Sequence, residues 1–80
     1  MTARLPAVRP RQAVRALERA GWQVHRQRGS HLSMKKEGSR FLITIPMHRR
    51  DIPKGTLRGI IEDAGLTVEE FNPLLRGRGA

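Results

Sequence analysis

Residues Arg26 to Met34 read RQRGSHLSM. A glycine and a serine stand directly before His31, two arginines lie just upstream, and Lys35 and Lys36 follow. Histidine is the side chain whose ordinary titration falls near neutral pH. In its neutral form it can take a proton from a ribose hydroxyl, and in its protonated form it can give one to a leaving oxygen. Arginine or lysine nearby can stabilise the extra negative charge of a phosphorane-like transition state. Glycine allows close backbone approach by a ligand. The stretch therefore reads as a site for phosphate chemistry. His31 is the candidate acid/base group, and Gly29 and Ser30 form the supporting turn. Arg26, Arg28, Lys35 and Lys36 are the phosphate-binding cations. The plainer reading is an exposed histidine that only contacts phosphate.

His48, beside Arg49 and Arg50, is a further candidate for phosphate contact. The third histidine, His25, falls in the middle of an alternating stretch. Three histidines raise the question of a metal, but there is no cysteine, no H-x-x-x-H spacing and no carboxylate at ligand spacing. No metal and no other cofactor is expected. Trp22 could stack a base, but its place in the pattern beside Val24 makes it a core residue instead.

Charge supports a polyanionic partner. The 80 residues carry 16 Lys and Arg against 7 Asp and Glu, a net charge of +9. Such a charge on so short a chain opposes its own compaction, and most of it is arginine, which forks onto phosphate. It is also uneven. Residues 1–58 hold 14 of the basic side chains and 3 of the acidic ones, whereas 59–70 hold Glu62, Asp63, Glu69 and Glu70 and no basic residue. No apolar run approaches the roughly 18–20 residues of a membrane span, and MTARLPAVRP has no apolar core of a secretory signal. The expected location is the cytoplasm, with no membrane partner.

The elements that must position these residues follow from the periodicity. Pro10 suits the first turn of a helix over 10–20, with Val14, Leu17 and Ala20 on one stripe and Gly21 as its left-handed stop. WQVHRQ (22–27) and HLSMKK (31–36) alternate, and RFLITIP (40–46) is a third strand after an EGS turn. Trp22, Val24, Leu32, Met34, Phe41, Ile43 and Ile45 are expected on the inner face. Gln23, His25, His31, Ser33, Lys35, Leu42 and Thr44 are expected on the other. Asp51 is placed to cap a second helix, with Pro53 in its first turn. Leu57, Ile60, Ile61 and Ala64 form that helix's stripe, and Thr67 to Glu70 fits a capping box for a short last helix holding Val68 and Phe71. The order α-β-β-β-α gives an α+β fold: a three-stranded antiparallel sheet with helices on one face and the other face open. One domain is expected, its core at residues 5–71 and a frayed basic tail at 72–80.

Taken in order, LPAVRPRQAVRALERAGWQVHRQRGSHLSM, ITIPMH and IPKGTLRGIIEDAGLTVEEF resemble the HicA family of toxins, the RNA-cleaving partners in HicAB toxin–antitoxin systems. The resemblance covers residues 5–71. It implies a fold like a double-stranded-RNA-binding domain and a metal-independent mRNA interferase, an endonuclease and hydrolase acting in stress response. The family's active histidine is the one after Gly-Ser, here His31, and His48 stands where many members also carry histidine. The implied partner is a HicB antitoxin that covers the active site, in a pair that often represses its own operon; direct DNA binding by this chain is not expected. Many members read Gly-Ser-His-His followed by an aromatic, whereas this chain has Leu32 and Met34. A reading from another class remains beside this one: a non-enzymatic RNA-binding module of the same fold.

Overall fold

The structure, a computed structural model, describes residues 4–77. The elements are α1 (Pro10–Arg19), β1 (Gln23–Arg28), β2 (His31–Lys35), β3 (Ile43–Pro46), α2 (Lys54–Asp63) and α3 (Val68–Leu75). The strands form one antiparallel sheet in the order β1-β2-β3. The fold is α+β, as the order of periodicities implies.

Local chemistry sets the helix ends. Arg9 is extended and Pro10 follows as the first helical residue, where its missing N–H costs nothing. The Gln12 side chain accepts from the Arg9 N–H at 2.7 Å. At the other end Gly21 (φ +99) turns left-handed. Its N–H bonds the Glu18 carbonyl at 3.0 Å, and the Trp22 N–H bonds that of Leu17 at 2.9 Å. That pair of bonds is a Schellman motif. It recurs after α2, where Gly65 (φ +74) and Leu66 bond Glu62 and Ile61 at 2.9 and 3.1 Å. The capping box of α3 forms as its spacing requires: Thr67 Oγ1 accepts from the Glu70 N–H, and Glu70 Oε1 accepts from the Thr67 N–H.

The helices lie on one face of the sheet. Leu32, Met34, Ile43 and Ile45 are buried against Ala13, Ala16 and Leu17 of α1 and Leu57, Ile60 and Ile61 of α2. Phe71 and Leu74 of α3 complete the core, and Trp22 is buried, 3% exposed.

Several expectations change. Val24 pairs with buried Met34 and so lies on the inner side, yet it is 45% exposed. β1 is an edge strand, and every one of its residues stays exposed. Phe41 is 54% exposed rather than inward, because the ladder ends at the pair Met34–Ile43 and β3 starts only there. Phe41 sits instead in a local turn, its N–H and carbonyl both bonded to the Ser39 hydroxyl. Asp51 does not cap α2. The residue before that helix is Pro53, with no side-chain cap, and Asp51 pairs with Arg9 at 3.2 Å. Finally, residues 72–75 are not a frayed tail. They continue α3, because Leu74 is buried and the Arg19 guanidinium donates to its carbonyl at 2.6 Å. The last residues of the expected tail, 78–80, lie outside the described residues.

Candidate active site on the open sheet face

The hairpin joining β1 and β2 is as tight as hairpins become. Arg28 pairs directly with His31, so Gly29 and Ser30 are its two-residue loop. Gly29 has φ +54, while no residue other than glycine has positive φ among those described. A positive φ at the first loop position alone is the pattern of a II′ turn, whose twist matches that of the strands. The turn is pinned from two sides. The Gln27 amide donates to the Gly29 carbonyl at 3.1 Å, and the Met47 N–H donates to the Ser30 carbonyl at 2.6 Å. His31 thus begins its strand on a backbone held by three segments of chain.

Pairing decides which side chains share its face. Leu32 and Met34 are buried, so pleating sends His31, Ser33 and Lys35 to the open side. Arg28 is opposite His31, and Arg26 is opposite Ser33. Residues directly opposite in an antiparallel pair project to the same face, with Cα atoms about 4.5–5.5 Å apart. Strict alternation from Val24 would have turned Arg26 and Arg28 inward. A bulge between Val24 and Arg26 prevents it. His25 is the extra residue there, and it shifts the phase of everything after it. His25, expected on the open face by alternation, is therefore an exposed residue without a ladder partner, and the two arginines take the face in its place.

The result is a shallow depression of about 450 Å³ lined by Arg26, Arg28, His31, Ser33, Leu42 and Thr44. Ser33 and Thr44 are themselves a cross-strand pair. Leu42, just before β3 and 47% exposed, supplies an apolar wall on the side expected for it. A Cβ at Gly29 would meet no atom within 4 Å, so the turn is open above its glycine.

Other residues singled out in the sequence lie apart. Lys35 and Lys36 line a different depression with Gly21, Gln23, Glu37 and Ser39. Four residues of strand separate Lys35 from His31, about 13 Å at the usual rise. His48 is in a third depression, with Arg9, Pro10, Arg11, Met47 and Arg49. Gln27, which steadies the turn, carried no signal in the sequence beyond its place in an alternating strand. Among the described residues no three His, Cys, Asp or Glu side chains come together as a metal site. No helix there is long and apolar enough to cross a membrane.

A small α+β domain that leaves one sheet face open, basic and centred on a histidine after a Gly-Ser turn belongs to a narrow class of proteins. Residues 10–66 match the model of the HicA toxin family of bacterial toxin–antitoxin systems. The match spans most of the chain and includes the Gly29-Ser30-His31 turn, and the chain belongs to that family. It is a HicA-type toxin, and the family implies a HicB-type antitoxin as its partner. A comparison with curated proteins finds no match.

Proposed function

We propose that this toxin is a metal-independent endoribonuclease that cleaves mRNA on the open sheet face. The observation that supports this most is the pairing of Arg28 with His31 across the Gly29–Ser30 turn, with Arg26 and Ser33 the next pair on the same face. A phosphate placed over that turn meets two guanidinium groups and one imidazole in a depression open to a long chain.

The reaction is attack of a ribose 2′-hydroxyl on the adjacent phosphorus. A new O2′–P bond forms, the P–O5′ bond breaks, and the 5′-oxygen leaves with a proton. His31 takes the 2′ proton or delivers the one to the leaving oxygen. With one imidazole in the depression, water performs the other transfer. Arg26 and Arg28 hold the phosphate and stabilise its added charge. Ser33 and Thr44 offer hydroxyls to the ribose or phosphate, and Leu42 lies against the sugar or base. HicB neutralises the toxin by covering this face.

The test incubates the purified chain with a defined mRNA, with and without EDTA. Cleavage that persists in EDTA and leaves 2′,3′-cyclic phosphate ends is the expected result. Loss of cleavage with chelator, restored by a divalent ion, would overturn the metal-independent reading. RNA bound but never cut would replace the enzyme with a binding module of the same fold.

A further inference from the structure

The depression around His48 has no role in the chemistry just described, yet it is strongly basic and lies close to it. Its volume is about 510 Å³, and it is lined by Arg9, Pro10, Arg11, Met47, His48 and Arg49. Arg9 is already committed. Its guanidinium pairs with Asp51 at 3.2 Å and donates to the Arg49 carbonyl. Both bonds fasten the segment after β3 to the start of α1, as does the Ile52 N–H bonded to the Val8 carbonyl at 2.8 Å. The clasp neutralises the one carboxylate in this segment. Arg11, His48 and Arg49 remain exposed and without an ion-pair partner among the described residues.

One ladder pairing and one hydrogen bond set this depression beside the His31 turn. Pro46 pairs with His31, and the next residue, Met47, is bonded to Ser30. His48 is two residues beyond Pro46, at most about 7 Å of extended chain. From Arg11 the row continues along α1 to Arg15, four residues on and about 6 Å further up the helix. The alternatives are less favourable for a polyanion. The Lys35–Lys36 depression contains Glu37 and lies at the far end of the strand. The α2–α3 side carries Glu62, Asp63, Glu69 and Glu70.

We propose that the RNA strand runs from the His31 face over the Ser30–Met47 edge and along the start of α1, and that Arg11, His48 and Arg49 form a subsite for phosphates flanking the scissile one. This rests on the reading of the His31 face as the RNA-cleaving site, and it gives that site a direction. The preferred substrate is a single strand extending several nucleotides to one side of the cut. A positively charged track of this kind follows the backbone without reading bases.

The experiment compares the wild type with an Arg11→Ala/Arg49→Ala double variant on two single-stranded RNAs that share one cleavage site. One is only a few nucleotides long, and the other extends well beyond the site on both sides. Neither arginine's side chain makes a hydrogen bond or ion pair among the described residues, and circular dichroism verifies the folded state. The expected result is a rise in KM of about tenfold on the long RNA with kcat retained, and no change on the short one. The slope of log affinity against log salt falls by about 0.7 for each single-strand phosphate that the variant no longer neutralises. An Arg11→Lys/Arg49→Lys variant recovers most of the affinity. Equal kinetics of variant and wild type on the long RNA overturn the subsite. So does loss of antitoxin affinity with RNA binding unchanged, which assigns the depression to HicB. Binding of both RNAs is also measured in a His31→Ala background. If the wild type cuts neither RNA, the cleavage reading fails, while the length-dependent affinity still decides the path.

Discussion

At the scale of single residues, the proposed chemistry rests on the few groups that the open face concentrates. His31 is exposed and buries nothing, so His31→Ala leaves no core cavity. Loss of one acid/base group costs about 10²–10⁴-fold in rate. The variant is expected to lose cleavage and toxicity with an unchanged melting temperature. Near wild-type cleavage in His31→Ala would falsify the assignment. Gly29 acts differently. Its substitution by alanine obstructs nothing, since a Cβ there meets no neighbour, but it imposes φ +54 on a residue with a side chain. Left-handed backbone costs such a residue about 1–2 kcal/mol. Gly29→Ala is therefore expected to lower stability by about that amount, read from denaturant unfolding. An unchanged midpoint would mean the turn relaxes to another form.

At the scale of elements, the helix layer fixes which face of the sheet is free. Leu57 is fully buried between α2 and the sheet. Leu57→Ala is expected to cost about 2–5 kcal/mol, the usual range for a core leucine. A loss typical of surface sites, within about 0.5 kcal/mol, would show that α2 does not pack by that stripe. The bulge at His25 gives a sharper test. Removing His25 from the chain makes Val24 and Arg26 consecutive, opposite Met34 and Ser33. The ladder becomes regular, and Arg26 and Arg28 keep the face they have. The deletion is expected to fold and to retain RNA binding, whereas deleting Gln27 places Arg26 opposite Leu32 and turns it inward. If the His25 deletion loses RNA binding and the Gln27 deletion keeps it, the assigned register is wrong.

At the scale of the whole molecule, charge and shape point the same way. Acidic residues gather on the α2–α3 side, and the sheet face and the start of α1 are basic. A basic, accessible face is the one an acidic partner reaches fastest. A HicB antitoxin is therefore expected to bind there and to shield His31. Leu42 and the neighbouring Phe41, 47% and 54% exposed, give a protein partner apolar anchors that a phosphate backbone cannot use. Hydrogen exchange on the toxin–antitoxin complex is expected to show protection across β1, β2 and the segment before β3. Protection confined to the outer side of α2, with the Gly29–Ser30 turn unaffected, would place inhibition at a remote site.

The amino-acid sequence alone determined the elements whose cause is local. The helix stops at Gly21 and Gly65, the Thr67–Glu70 capping box, Pro10 at a helix start and the alternation through His31 to Lys35 all depend on residues within a few positions of one another. So did the identity of the turn before His31. What only the tertiary structure decided depends on partners far along the chain. Whether Val24 and Phe41 are covered depends on which strand lies at the sheet edge and on where the β2–β3 ladder ends. Asp51 leaves its capping role for Arg9, 42 positions away. Residues 72–75 are helical because α1 lies beneath Leu74 and Arg19 caps its carbonyl. The bulge had the largest consequence for the site. One extra residue in an edge strand reverses every side chain after it, and nothing in WQVHRQR distinguishes a regular strand from a bulged one. The pairing with β2 makes the choice. It buries Leu32 and Met34, and in doing so it brings Arg26 and Arg28 to the same face as His31.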